Sequence, residues 1–169
     1  MRPPKLPRTL AVAALAVAAA MVAAPAQAAT RTPQAEVQRQ VDRVLAGHPD
    51  ARQSAPGTVT FAGGAILEIP EAGTMATACT AGWYCFYADN DFGGRKLSFH
   101  DCGLTQYLTN YGFGNQTSSW RNTSVNTVYA DDNNTQPPTQ MWTEEPKSEA
   151  AAVGATFDNR ADSFYTACG

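Results

Sequence analysis

The stretch YADNDFGG, residues 87–94, places three side-chain oxygen donors between two aromatic residues. Asp89, Asn90 and Asp91 are hard oxygen ligands of the kind that calcium prefers. An EF-hand loop that begins at Asp89 needs a bidentate Glu at its twelfth position, which here is His100. The flanking residues also have strand-like rather than helical patterns. We therefore interpret the stretch as a polar turn between two strands and not as an EF-hand.

The spacing of Tyr87, Phe92 and Gly94 predicts a folded hairpin corner. Two aromatic rings at this separation can stack and cover the turn, and a glycine accommodates a backbone with positive φ. We expect a serine later in the chain to form a hydrogen bond back to the folded turn. We therefore assign the corner a structural role. It would contribute at most a backbone oxygen to any calcium ion bound nearby.

Two later segments, GNQTSSW at 114–120 and DNRADSF at 158–164, form an internal repeat 44 residues apart. The matched positions are Asn115 with Asn159, Ser118 with Asp162, and Ser119 with Ser163. The repeat predicts two equivalent loops, one in each half of a duplicated unit.

The corner and the repeated loop together resemble the βγ-crystallin family. The stretches CTAGWYC at 79–85, DCGL at 101–104 and SSW at 118–120 are more closely similar to secreted bacterial peptidase inhibitors of family I36, which share that fold. The resemblance covers about residues 79–168 and implies an all-β sandwich of two Greek keys. One departure is the second corner, because no aromatic-x-Gly follows Tyr129 in register.

The resemblance also implies two candidate calcium sites. Asn115 and Ser118 would serve one, and Asn159 and Asp162 the other. The carboxylate of Asp162 should favour a cation, whereas Gly114 removes a polar contact from the first site. The alternative is that these side chains only form hydrogen bonds to nearby backbone, as Asn, Asp and Ser often do in turns.

Two functions follow from these expectations. The first, which the resemblance to family I36 implies, is a secreted inhibitor of proteinases, metalloproteinases in particular, that presents an exposed loop from a disulfide-stapled scaffold. Its target would be an extracellular protease, and the candidate loops are 131–139 and 143–151, with no inhibitory residue assigned. The alternative is a calcium-stabilised extracellular binding or structural module without inhibitory activity.

The sequence does not predict an enzyme. It contains no His-Glu-x-x-His and no Gly-x-Ser-x-Gly motif, and neither of its two histidines has a recognisable catalytic setting. We interpret Trp83, Trp120 and Trp142 as packing residues rather than as a platform for a sugar.

Residues 1–28 read as a secretory signal, with a basic start, an Ala-rich apolar run and Ala-Gln-Ala before the expected cleavage point. Its removal takes away three basic residues and changes the formal net charge from −3 to −6. We therefore predict a secreted protein that binds neither nucleic acid nor membrane, and we expect a monomer. A membrane anchor is the alternative, but the run is short for a span.

Four cysteines in an exported chain predict two disulfides. Three pairings exist, and the short spacing of Cys79 and Cys85 favours a local bridge, which leaves Cys102–Cys168. A four-cysteine zinc site is the alternative, and no Cys-x2-Cys pair supports it.

These residues require a scaffold of short elements. We predict a helix over 30–47 capped by Thr32, a linker over 50–57, a hairpin over 58–70 and a second linker over 71–78. Residues 29–78 are thus an N-terminal extension that either packs on the main domain or is a detachable pro-region, and residues 79–169 are the β domain. The strands that we predict in that domain are 83–87, 95–99, 123–129, 140–143 and 163–166.

Overall fold

The fold is seen in a computed structural model that describes residues 32–169. The expected signal sequence at 1–28 lies outside the described residues. Within the described part, no helix is long and apolar enough to cross a membrane.

The predicted N-terminal helix is confirmed as α1, Pro33–Gly47. Thr32 caps it, because its hydroxyl accepts a hydrogen bond of 3.2 Å from the Ala35 amide. Val37 and Val41 are buried on one face, as the helical spacing of apolar residues predicts. The helix thus contributes one apolar stripe to the core.

Eleven strands follow in the described chain, and all but two are shorter than six residues. They are β1 Arg52–Ala55, β2 Thr58–Thr60, β3 Ile66–Glu68, β4 Tyr84–Tyr87, β5 Lys96–Phe99, β6 Thr105–Tyr107, β7 Ser119–Asn122, β8 Thr127–Asp132, β9 Thr139–Glu144, β10 Ser148–Ala150 and β11 Ser163–Ala167.

The strands form two antiparallel sheets, in the orders β1-β2-β3-β5-β4-β7-β10 and β6-β11-β8-β9. Strands β4 to β7 make one four-strand unit and β8 to β11 make another. In each unit the third strand, β6 or β10, crosses to the sheet of the other unit. This exchange is a pair of interlocked Greek keys, so the predicted all-β, two-Greek-key sandwich is confirmed.

The N-terminal extension continues the first sheet. The predicted hairpin is present as β2 and β3, and β3 pairs with β5 in a register that places Leu67 opposite Leu97. The prediction of a linker over 50–57 was wrong in part, because residues 52–55 form β1. All four of its residues are exposed, so this edge strand has no alternation of apolar and polar residues that would reveal it.

The single strand predicted over 123–129 was also wrong in its first half. The chain forms β7, makes a tight connection and then enters β8 at Thr127. A buried polar network holds the connection, in which Ser124 Oγ donates to Asn122 Oδ1 at 2.6 Å and Asn122 Nδ2 donates to the Asn126 carbonyl at 2.7 Å. Strands β6, β7 and β10 were not predicted, because three or four residues are too few to show a period.

The core lies between the two sheets and is rich in aromatic residues. Phe164 of β11 packs against Phe86 and Phe99 of the other sheet, with ring centroids 5.0 and 4.8 Å away. Val41 of α1 belongs to the same buried cluster. Trp120 is also buried in it, and Trp83 and Trp142 are partly buried against core residues, as expected for packing side chains.

Both expected disulfides are present, Cys79–Cys85 and Cys102–Cys168. The first anchors the segment 71–79 near the outer face of the first sheet. The second joins the start of the β5–β6 connection to the end of β11.

A buried lysine ties the extension to the β domain. Lys96 of β5 is 1% exposed, and its Nζ lies 2.7 Å from Glu68 Oε1 of β3. The same ammonium donates to the Thr77 hydroxyl at 2.6 Å and to the Thr77 carbonyl at 3.0 Å. A buried charge requires such partners, so this cluster joins three separate segments of the chain.

Candidate metal centre

The corner at Tyr87, Phe92 and Gly94 has the predicted folded form. The two rings meet edge to face, with centroids 5.6 Å apart. Gly94 has φ 68°, and a Cβ there would lie 2.7 Å from Asp89 Oδ2. The backbone of Asp91 and Phe92 is also left-handed, with φ 55° and 61°. These residues shape the turn.

The expected serine is Ser119, the last polar residue of the first repeat loop. Its hydroxyl donates to the Asp89 carbonyl at 2.6 Å and accepts from the Phe92 amide at 3.1 Å. Ser163 holds the equivalent place in the second repeat, where its Oγ accepts from Asn133 Nδ2 at 2.9 Å. Ser119 therefore ties the first repeat loop to the backbone of the folded turn.

The two repeat loops are equivalent in backbone conformation. Asn115 and Asn159 both have left-handed backbone, with φ 56° and 55°. The backbone N–H of Asn115 donates to the Ala161 carbonyl at 2.8 Å, and the backbone N–H of Asn159 donates to the Thr117 carbonyl at 3.1 Å. This reciprocal exchange places the loops side by side.

Because the loops lie side by side, each candidate cluster draws side chains from both. Ser118 of the first loop donates to Asp158 Oδ1 of the second at 2.5 Å. Asp158 and Asn90 also line one cavity of about 180 Å³. Ser118, Asp158 and Asn90 form the first cluster, which offers hydroxyl, carboxylate and amide oxygens.

The second cluster surrounds Asp162, which is nearly buried. Asn134 Nδ2 donates to Asp162 Oδ2 at 2.8 Å. Burial raises the pKa of the Asp162 carboxyl, and the neighbouring Asp132 raises it further, while hydrogen bonds from the Asn133 amide and the Asn115 side chain lower it. Arg160 donates to Asp132 Oδ2 at 2.7 Å, and this hydrogen bond is the main cause of the lowered pKa of Asp132.

The structure regroups the predicted ligands. We expected Asn115 with Ser118 and Asn159 with Asp162, but Ser118 donates to Asp158, and the side-chain amide of Asn134 donates to Asp162. The sequence prediction did not include Asp158. It is the first residue of the second repeat, and the first repeat has Gly114 there.

Packing explains why Gly114 departs from the Asn or Asp expected at its position. A Cβ at residue 114 would lie 2.4 Å from Thr109 Cγ2. Thr109 belongs to the short 3-10 turn Leu108–Tyr111, which lies against the loop. A larger residue would have to displace this turn.

The donor set of the first cluster fits a hard cation. Ser118 uses its proton on Asp158, so its oxygen lone pairs remain available as ligands. The second cluster fits less well, since an amide already occupies one Asp162 oxygen and a guanidinium is paired with the adjacent Asp132. Over residues 32–169 no group of three or more His, Cys, Asp and Glu side chains is placed to hold a metal ion, so a site here would combine at most two carboxylates with hydroxyl, amide and carbonyl oxygens.

The two candidate inhibitory loops differ in structure. In the first candidate, 131–139, residues 133–138 connect β8 to β9 and 136–138 are exposed. The Thr135 hydroxyl braces this connection, with its single proton shared between the Asp132 and Pro137 carbonyls at 3.1 and 3.0 Å. The other candidate, 143–151, contains β10, which pairs with β7. A strand held in the sheet is a poor presenting loop, so that half of the expectation is not supported.

Comparison with known proteins gives structural likeness alone. A βγ-crystallin domain from Clostridium beijerinckii is 20% identical over 50% of this chain and 95% of its own, with a TM-score of 0.41. A structure from work on the evolution of the eye lens βγ-crystallin domain fold is 15% identical over 56% of this chain and 94% of its own, with a TM-score of 0.44. No family model matches the chain. No curated protein matches it either.

Proposed function

We propose that this chain is an exported module that calcium stabilises through its paired repeat loops. The observation that carries the proposal is the contact between Ser118 of the first loop and Asp158 of the second. A cation held there would join the two Greek keys, since each key supplies one of these side chains. Binding of this kind adds to the free energy of unfolding in proportion to the logarithm of ligand concentration.

We expect a dissociation constant of about 10⁻⁴–10⁻³ M, as for other extracellular calcium modules. Two side-chain ligands leave several of calcium's six to eight positions to backbone carbonyls and water. Calcium would supply a positive charge that bridges the loops, while the chain positions the oxygens.

The test is calorimetry and thermal unfolding of the full chain in millimolar calcium, with Asp158→Asn as the variant and Asp50→Asn as the control. Asp50 is an exposed residue outside both loops. We expect heat of binding and a higher melting temperature for the unmodified chain and the control, and neither for Asp158→Asn. Absence of both effects in the unmodified chain would refute the proposal.

The loop after β8 favours a second function, inhibition of an extracellular proteinase. A braced, exposed loop loses little conformational entropy when it enters a protease cleft. Residues 136–138, Gln-Pro-Pro, are its exposed centre.

The test is a panel with one thermolysin-like metalloprotease and one subtilisin-like serine protease. Replacement of residues 136–138 by Gly-Ser-Gly should abolish inhibition without loss of folding, whereas Ala62→Ser in the exposed β2–β3 turn should leave it unchanged. No inhibition of either enzyme by the unmodified chain would leave the calcium module as the sole proposal.

A further inference from the structure

The outer face of the four-stranded sheet carries a group of tyrosines that neither proposed function uses. Tyr129 of β8 lies directly opposite Tyr165 of β11, and Thr105 of β6 lies opposite Tyr165 on the other side. Tyr107 is two residues along β6 from Thr105, on the same face because side chains alternate. The three rings therefore lie across three adjacent strands. We call Tyr107, Tyr129 and Tyr165 the tyrosine face.

These rings are unusually accessible for aromatic side chains. Tyr107 is 48% exposed and Tyr165 is 42% exposed. The rings of Tyr129 and Tyr165 are close to parallel, with an interplanar angle of 20° and centroids 6.4 Å apart. Two of the five large exposed apolar residues in the described chain, Tyr107 and Tyr165, thus lie on this one face.

The polar residues of the same face are almost all uncharged. Thr105, Thr127 and Thr143 supply hydroxyls, and Gln140 Nε2 donates to Thr143 Oγ1 at 2.9 Å. Asp131 supplies the one carboxylate of the face, and it lies opposite Gln140 in the register. No Lys or Arg occurs in any of the four strands.

This combination excludes several kinds of ligand on charge. A face without basic residues cannot neutralise the phosphates of a nucleic acid or the carboxylates of an acidic polymer. A neutral ligand rich in hydroxyl groups matches it, since its apolar C–H surfaces can stack on tyrosine rings and its hydroxyls can donate to Asp131 and exchange hydrogen bonds with the threonines.

We propose that the tyrosine face binds a neutral polysaccharide, with the sugar rings stacked on Tyr129 and Tyr165 and hydroxyl groups held by Asp131. The tyrosine face and Asp131 share no side chain with the two calcium clusters, so this proposal does not rest on the proposed function. Tyr107 extends the platform by one strand, which favours a polymer over a single sugar.

The test is retention of the full chain on insoluble cellulose, starch and xylan, with polygalacturonate as the acidic comparison. We expect retention on at least one neutral polymer and none on polygalacturonate. Tyr165→Ala and Tyr129→Ala should each weaken it about tenfold, the effect of losing one stacking contact. Tyr165→Phe should keep it, because the ring remains.

Val125→Ala is the matched control, since Val125 is 62% exposed and lies outside the tyrosine face. Thermal unfolding of each variant establishes that it is folded. No retention on any neutral polymer would overturn the proposal, as would retention that both alanine variants preserve. A dimer that Tyr165→Ala dissociates would also overturn it, because a second copy would then occupy the face.

Discussion

At the scale of single residues, two positions show how strongly the local environment restricts the side chain. Gly94 combines a left-handed backbone with close contact to Asp89. Glu144 is a carboxyl group that is fully buried in the second sheet. Among residues 32–169 only Trp142 Nε1 donates to it, at 3.1 Å from Oε1, and Oε2 has no partner.

Gly94→Ala should destabilise the protein more than Gly73→Ala. Both glycines have positive φ, 68° and 81°, so both substitutions carry the backbone cost of about 1 kcal/mol. At residue 73 the added Cβ meets no atom of the described residues within 4 Å, whereas at residue 94 it meets Asp89 Oδ2 at 2.7 Å. Urea denaturation measures the difference in the free energy of unfolding. Equal losses for the two variants would show that the corner accommodates the added Cβ without cost.

Glu144 should make stability fall as pH rises. Burial raises its pKa from the ordinary 4.5 to about 8, so the folded protein holds a proton that the unfolded chain releases. The stability from the neutral carboxyl is complete below pH 4.5 and is lost as pH rises towards 8.

Glu144→Gln replaces the titratable carboxyl by a neutral amide, so the variant loses no stability from this ionisation. Its free energy of unfolding should therefore exceed that of the unmodified protein by a margin that grows between pH 5 and pH 9. The adjacent and exposed Glu145→Gln serves as the control. Parallel pH profiles for the unmodified protein and Glu144→Gln would contradict the expectation.

At the scale of elements, the extension is built into the first sheet. Strands β1 to β3 extend the edge at β5, and Val59, Phe61 and Leu67 belong to the same core as the aromatic residues of the β domain. The buried Lys96–Glu68 pair adds a charged link between the two. These contacts favour an extension that packs on the domain over a freely detachable one.

Glu68→Gln should cost about 3–5 kcal/mol, because it leaves the Lys96 ammonium buried without its counter-charge. Glu149→Gln is the control, since Glu149 pairs with Arg121 near the surface and should cost less than about 1 kcal/mol. Chemical denaturation at neutral pH gives both values. Adding Lys96→Met to Glu68→Gln should recover much of the loss, and failure to recover would point to packing instead of charge.

At the scale of the whole molecule, the two disulfides restrain the chain to different extents. Cys102–Cys168 spans 66 residues and links the first Greek key to the end of the second. Cys79–Cys85 spans only six. The longer bridge restricts the unfolded chain more.

Replacing both cysteines of the long bridge by serine should therefore destabilise the protein by about 4 kcal/mol, against about 2 kcal/mol for the short bridge. Thermal unfolding of the two double variants tests the order. If the short bridge proves more important, its value lies in holding residues 71–79 against the sheet.

The amount that the sequence could predict depended on how local the responsible interaction was. The helix with its cap, the β2–β3 hairpin, the Tyr87–Gly94 corner and the repeat all follow from side chains a few residues apart. Strands β1, β6, β7 and β10 were not predicted, since segments of three or four residues have no detectable period.

By itself, then, the sequence determined the all-β class, the duplicated loop and the corner, because backbone preferences and spacing act within one segment. Only the tertiary structure decided that Ser118 meets Asp158, that Lys96 meets Glu68 and that three tyrosines share one face. Each of these contacts joins residues from different strands or loops. Their proximity comes from the crossing of β6 and β10 between sheets and from strand register, which no single segment encodes.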